Sequence, residues 1–288
     1  MMRATCKCRL LLLPAMLAWA AATSLAQAQQ PEPTDPYPAT AGASYVVAVN
    51  DRLVWARELD TPRAPASLTK LLSAIVILES DWDPEAIVTV SRTAAAATGA
   101  RIGLRAGERL YAGDLLTGMI VRSGNDACTA LAEHAAGSVK AFVARMNQRA
   151  VELGMVDSHF GGPCGLDVEG QRSTARDLLR LAQVSITYPE IAEAGSALTA
   201  DFRTLGGRRI RFGTTNRILK SEPEVVGLKT GFTNRAGKCL IALAQRGAHK
   251  VWIVLLSSQD RWFTASNLVT QGLNLAERQA LALGDEVP

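Results

Sequence analysis

Residues 66–78 read Ala66-Ser67-Leu68-Thr69-Lys70-Leu71-Leu72-Ser73-Ala74-Ile75-Val76-Ile77-Leu78. From Ser67 onward the run has neither glycine nor proline, and Pro65 stands just before it, where a helix start tolerates proline. Length and apolar content predict a buried helix with Ser67 in its first turn. Lys70 follows three residues on, on the same face, so the hydroxyl and the amine can meet. A serine alcohol is a useful nucleophile only when a base takes its proton. Lysine is that base only when neutral. Its ordinary pKa of about 10.4 must then fall by roughly 3 units, or ~4 kcal/mol. Burial and a second cation both push that way, and the positive end of the helix dipole lies near the serine. Alone, S-x-x-K is a frequent chance match, so the chain has to supply companions.

Two companions are present. Ser123-Gly124-Asn125 falls between two predicted helices, where the glycine permits a turn. Ser123 has the chemistry to relay a proton between Lys70 and a leaving amine, and Asn125 to hold Lys70 and bond a substrate peptide. Lys229-Thr230-Gly231 ends a predicted strand. Lys229 is the second cation, suited to depress the pKa of Lys70 and to hold an anionic substrate end. Thr230 can bind the same carboxylate, and Gly231 lets backbone approach closely. The N–H of Phe232 pairs with that of Ser67 as an expected oxyanion hole. As turn or strand end, each string alone is unremarkable. Together they occur once each, in this order, the set found in penicillin-binding proteins and class A β-lactamases.

The first residues read as an address. Residues 1–9 carry Arg3, Lys7 and Arg9 and no acid, residues 10–22 are apolar, and Ala26-Gln27-Ala28 is an A-x-A site. That is a secretory signal peptide over 1–28, followed by an expected flexible leader over 29–42. Removing those three of the 31 basic residues leaves 28 against 27 acidic ones. Such a balance does not support a nucleic-acid partner. Cys128, Cys164 and Cys239 remain after the signal, and they are expected to be buried free thiols. His134, His159 and His249 are isolated and H-E-x-x-H is absent, so no metal site is expected.

The remaining order is legible. Residues 44–50 and 53–59 predict a hairpin through Asn50-Asp51-Arg52. Helices are predicted over 112–119, 126–135, 139–153 and 175–185, the last capped by Ser173 or Thr174. Gly206-Gly207 signals a second hairpin. Strands over 225–230, 238–245 and 251–257 precede a final helix over 262–283. Strands at both ends around a helical block predict an α+β fold. One antiparallel sheet is flanked by helices, with a helical subdomain inserted.

The three motifs, with the stretches 121–128, 165–177 and 227–237, give the chain a resemblance to the low-molecular-mass penicillin-binding proteins that are serine-type D-Ala-D-Ala carboxypeptidases. The second half of 227–237 is also similar to the related D,D-endopeptidases. The resemblance implies a β-lactamase/DD-peptidase-like α/β fold over 43–285 and no metal or organic cofactor. Many such carboxypeptidases carry a second, β-rich domain and a terminal amphipathic anchor. Here the 57 residues after Gly231 are taken up by two strands and a helix, so no second C-terminal domain and no membrane anchor are expected. It implies Ser67 as acylated nucleophile, Lys70 as base, and Ser123 and Asn125 in proton transfer and substrate binding. Lys229, Thr230 and Gly231 would bind the terminal carboxylate. The implied partner is the D-Ala-D-Ala end of a peptidoglycan stem peptide, outside the cytoplasm, with β-lactams as covalent inhibitors. Some carboxypeptidases carry an arginine where Thr215 precedes Asn216-Arg217, which leaves endopeptidase action open. A class A β-lactamase would need a deacylating glutamate, usually within E-x-x-L-N, a string that is absent. A non-catalytic wall-binding protein would more naturally have lost one of these residues.

Overall fold

Ser44–Val49 (β1) is apolar apart from its first residue and buried throughout. It turns through Asn50 and Asp51, both at positive φ, into Arg52–Arg57 (β2). Asn and Asp tolerate the left-handed conformation, which is why the tight hairpin forms here. The computed structural model describes residues 32–37 and 39–283, so the signal segment 1–28 lies outside the described residues. Within the 29–42 stretch, Thr34 bridges Trp55 and Asp35 accepts from Arg57 and Tyr45. That part of the leader therefore lies along the hairpin.

Residues 66–78 divide into a 3-10 turn, Ala66–Thr69, and an α-helix, Lys70–Leu78 (α1). The α-helix starts three residues later than the sequence predicts. Ala66 sits at φ +49, and the chain leaves that position through the tighter turn. Lys70 to Ile77 are all buried. There follow Ile87–Thr89 (β3), Arg92–Ala95 (α2) and Arg109–Tyr111 (β4).

The helical block continues with Ala112–Val121 (α3), Asn125–Ala136 (α4) and Val139–Glu152 (α5). Gly137 ends α4 at φ +73, a left-handed cap that glycine adopts without penalty. Ser138 then caps α5 by accepting from the Ala141 N–H at 3.2 Å. Ala175–Ser185 (α6) is capped by Thr174, which accepts from the Asp177 N–H at 3.1 Å. Pro189–Ser196 (α7) begins on a proline, a start signal that sequence reading passed over. Thr199–Arg203 (β5) and Arg209–Gly213 (β6) form the Gly206-Gly207 hairpin, and Ile218–Ser221 (α8) follows.

The chain closes with Val225–Thr233 (β7), Gly237–Arg246 (β8), His249–Ser258 (β9) and Arg261–Leu283 (α9). The five-stranded sheet runs β2-β1-β9-β8-β7, and all its pairings are antiparallel. Both ends of the chain thus build one sheet, with the helical block inserted between them, as the element order predicts. The middle strands read as unbroken apolar runs because both faces are covered. One face, including Val47, Leu240 and Ile253, packs on α9 through Leu268 and Leu273. The other, including Val46, Ile241 and Val254, packs on the α1 side through Leu71 and Ile75. Strand β7 is left at the sheet edge, beside the 3-10 turn that carries Ser67. Among the described residues, no helix is long and apolar enough to cross a membrane.

The cysteines differ from expectation. Cys128 and Cys164 are joined by a disulfide across 36 residues, with their Cα atoms 6.0 Å apart, and among the described residues only Cys239 is a buried free thiol. Pairing depends on tertiary proximity, which three scattered cysteines do not reveal.

Candidate active site

The nucleophile candidate is positioned by the backbone around it. Gly165 and Gly231 press on the Ala66–Ser67 peptide from two sides. A methyl on Gly165 would fall 1.9 Å from the Ala66 carbonyl oxygen, and one on Gly231 would fall 3.1 Å from the Ser67 nitrogen. Only glycine admits such an approach. Ala66 and Ser123 are both non-glycine residues at positive φ, +49 and +62. Such conformations are disfavoured and persist where surrounding structure enforces them.

Lys70 Nζ lies 3.0 Å from Ser67 Oγ, 2.7 Å from Asn125 Oδ1 and 2.6 Å from the Cys164 carbonyl oxygen. The Asn125 amide is oriented by its other end, since Nδ2 donates to Thr98 O at 2.6 Å. Its oxygen therefore faces Lys70. Two carbonyl oxygens can only accept. A neutral amine has two N–H bonds and one lone pair. With both N–H bonds directed at Asn125 and Cys164, the lone pair is left for the Ser67 hydroxyl.

Lys70 is fully buried. Burial, aided by the nearby Lys229 charge, pushes its pKa well below the ordinary lysine value, against a smaller opposing pull from Asp126. Asp126 is occupied with the backbone, accepting N–H bonds from Ile102, Gly103 and Leu104 at 3.1, 2.8 and 3.0 Å. Lys229 is buried as well, and burial with the Arg261 guanidinium brings it down to about 7. Its Nζ donates to Ser123 Oγ at 2.8 Å and to Thr230 O at 3.0 Å. Two sets of contacts result: Ser67, Lys70 and Asn125, from the 3-10 turn, α1 and the start of α4, and Ser123 with Lys229, from the turn before α4 and β7. The Lys229 charge is close enough to act on Lys70.

The K-T-G string lies within β7, two residues short of its end. Gly231 pairs in register with Cys239 and Phe232 with Lys238. Thr230 Oγ1 is 2.8 Å from Thr215 Oγ1, so the residue standing in place of an arginine is itself a neighbour of the motif. The side chain of Phe232 is 60% exposed and belongs to the rim. Any oxyanion role rests on its N–H, next to the close approach of Gly231 to Ser67.

Three contributors were not singled out from the sequence. Arg261, at the start of α9, donates to Gly231 O at 2.6 Å and Cys239 O at 3.0 Å, bracing β7 from behind. Cys164 acts through its carbonyl, for which residue type gives no clue. Asp167 accepts from Thr233 Oγ1 at 2.6 Å and from the Arg235 N–H at 3.1 Å, tying the 164–171 loop to the end of β7. Among the described residues, no three His, Cys, Asp or Glu side chains converge on a metal-sized site.

The family model of D-alanyl-D-alanine carboxypeptidases, peptidase S11, matches residues 29–260. The carboxypeptidase DacB2 of Mycobacterium tuberculosis is 32% identical over 232 residues, covering 79% of this chain and 78% of that protein. The D-alanyl-D-alanine endopeptidase of Escherichia coli is 34% identical over 228 residues, 77% of this chain and 70% of that one. The Streptomyces K15 DD-transpeptidase superposes with a TM-score of 0.78 at 26% identity, covering 84% of this chain and 99% of that one. Other relatives are longer. The chain spans 48% of the Bacillus subtilis carboxypeptidase DacF, at 36% identity over 64% of this chain.

Proposed function

Because the chain belongs to the D-alanyl-D-alanine carboxypeptidase family, we propose that it is a serine D,D-peptidase. Its substrate is the D-Ala-D-Ala end of peptidoglycan stem peptides, from which it releases the terminal D-Ala. The observation that carries this reading is the buried Lys70 amine, 3.0 Å from Ser67 Oγ and held by two carbonyl acceptors.

In the proposed course, the terminal carboxylate of the substrate docks at Lys229 and Thr230, and its peptide lies along the free edge of β7, as an added strand would. Ser67 Oγ attacks the penultimate D-Ala carbonyl carbon while Lys70 Nζ takes the hydroxyl proton. The N–H groups of Ser67 and Phe232 stabilise the oxyanion. The C–N bond breaks, and a proton passes from Lys70 to the leaving amine through Ser123, whose hydroxyl accepts from Lys229 Nζ at 2.8 Å. Water then attacks the ester, Lys70 again accepting its proton, and Ser67 is restored. A β-lactam enters the same path, and its ring-opened acyl group stays on Ser67.

One observation favours a second reading, cleavage of D-Ala cross-links. Thr215, not a cation, stands beside Thr230, so the carboxylate site has one charge fewer than in some carboxypeptidases. The similarity to an endopeptidase runs the same way. Both readings place the protein outside the cytoplasm, with 1–28 as its signal peptide.

The test is incubation of residues 29–288 with a fluorescent penicillin, followed by intact-mass and peptide mapping. An adduct on Ser67 is the expected result. No adduct and no hydrolysis would overturn the enzyme reading, and rapid hydrolysis without an adduct would revive a β-lactamase. Digestion of monomeric and cross-linked muropeptides then separates the two peptidase activities.

A further inference from the structure

The disulfide stands directly behind the catalytic base assigned above, and the inference rests on that assignment. Cys128 lies on α4 three residues after Asn125, on the same helix face. Asn125 supplies one of the two carbonyl oxygens facing Lys70 Nζ. Cys164 supplies the other from its own backbone. The two acceptors therefore belong to two segments, α4 and the 163–165 loop, that the Cys128–Cys164 bond joins. Both half-cystines are buried, at 0% and 5% exposure. The loop meets α1 and the 3-10 turn before it by two further contacts. Ser73 Oγ donates to Pro163 O at 2.6 Å, and Gly165 abuts the Ala66 carbonyl.

We propose that the Cys128–Cys164 disulfide is a positioning element of the catalytic base: it holds together the two carbonyl groups that aim the Lys70 lone pair at Ser67. A hydrogen-bonded loop can drift by an ångström while keeping most of its contacts. A covalent link between the acceptor-bearing segments removes that freedom. With the link cut, Cys164 O retreats from Nζ, the lone pair is no longer confined to the Ser67 direction, and water gains access to the amine.

The charged groups that bear on Lys70 are Lys229 from β7 and Asp126 from α4, and both remain in place when the disulfide is removed. Relief of burial alone then raises the Lys70 pKa toward its ordinary value. A smaller fraction of the amine is neutral near pH 7, and the base-dependent limb of acylation moves to higher pH.

The experiment compares the intact protein with Cys128→Ser/Cys164→Ser, using Cys239→Ser as the control. The second-order rate of acylation by a fluorescent penicillin is followed from pH 6 to 10, beside circular dichroism and thermal melts. The expected result is a loss of about ten- to a hundredfold at neutral pH, with the rising limb moved upward and partial recovery at alkaline pH. A lowered melting temperature with an unchanged rate and pH profile would overturn the inference, leaving a staple that serves stability alone.

If the double variant does not fold, the intact protein is reduced by a dithiol, two thiols forming as the reagent closes to its cyclic disulfide. The same profile is then measured at once. Alkylation of the unreduced, denatured mature protein should find one thiol, Cys239; three would overturn the inference. Absence of acylation in the intact protein would overturn the assignment of Lys70 itself, an outcome distinct from either.

Discussion

Gly165→Ala tests whether backbone packing around Ser67 sets the rate. The added methyl would lie 1.9 Å from Ala66 O, 2.4 Å from Ala66 C and 2.9 Å from Ser67 N. The first distance is 1.1 Å short of the 3.0 Å that real Cβ contacts respect. No flexible side-chain end is available to yield, since the obstructing atoms are backbone. Either the 164–171 loop or the Ser67 turn must move by about that amount. A misplacement of about 1 Å lowers rates on the order of 100-fold, equivalent to about 2.7 kcal/mol of barrier. Gly165 also sits at φ +78, so alanine there adds roughly 1–2 kcal/mol to the cost of folding. Gly107→Ala separates the two effects. Gly107 has φ +82 and nothing within 4 Å of its virtual Cβ, so it carries the backbone cost without the collision. The assay is the acylation rate by fluorescent penicillin at pH 7, with urea melts of both variants. A lower urea midpoint and a rate about 100-fold lower for Gly165→Ala than for Gly107→Ala are expected. If Gly165→Ala acylates within a few-fold of Gly107→Ala, the packing argument fails.

Lys70→Ala should lose acylation at neutral pH while remaining folded, and full labelling of that variant would refute the base assignment. Lys229 is charged below about 7 and neutral above it, whereas Lys70 acts only when neutral. The free-enzyme profile of kcat/KM for a D-Ala-D-Ala peptide should therefore be bell-shaped, with its falling limb set by Lys229. Lys229→Ala should erase that limb and move the rising limb to higher pH, and a persistent falling limb would count against this. Both lysines have depressed folded pKa values, so between pH 7 and 9 the unfolded chain binds more protons and stability should rise with pH. A urea midpoint lower at pH 9 than at pH 7 would contradict burial as the cause. Above that window, ionisation of Cys239, pushed up to about 11 when folded, opposes the rise. On chain entropy, cutting the 36-residue disulfide loop should cost about 4 kcal/mol, read from urea unfolding of the double serine variant.

Much of this molecule was legible because its signals are local. The apolar run at 66–78, Gly137 after α4, Thr174 before α6 and the Gly206-Gly207 pair each specify structure through adjacent residues. The three motifs were legible for another reason: their residue types are chemically demanding enough that joint occurrence points to one site. What escaped depends on long-range contact. The Cys128–Cys164 bond and the brace of Arg261 on β7 are relations between segments with no sequence proximity. The role of Cys164 is played by a carbonyl that every residue possesses. The short helices α7 and α8 were lost among polar residues, although Pro189 marked the start of α7.

The sheet order also dictates when the molecule can fold. Strand β1 lies between β2 and β9, and Val46 meets Val254 only after more than two hundred intervening residues exist. A two-stranded hairpin is marginal by itself in water, so β1 and β2 wait for the last strands to arrive. The helical block, for its part, packs on a face of β8 and β9. A chain emerging from the ribosome therefore reaches its final strand before a central core can close, and fragments ending before β9 should lack a cooperative transition. Contacts of such long sequence separation slow folding, which leaves a long interval in which the chain is still extensible.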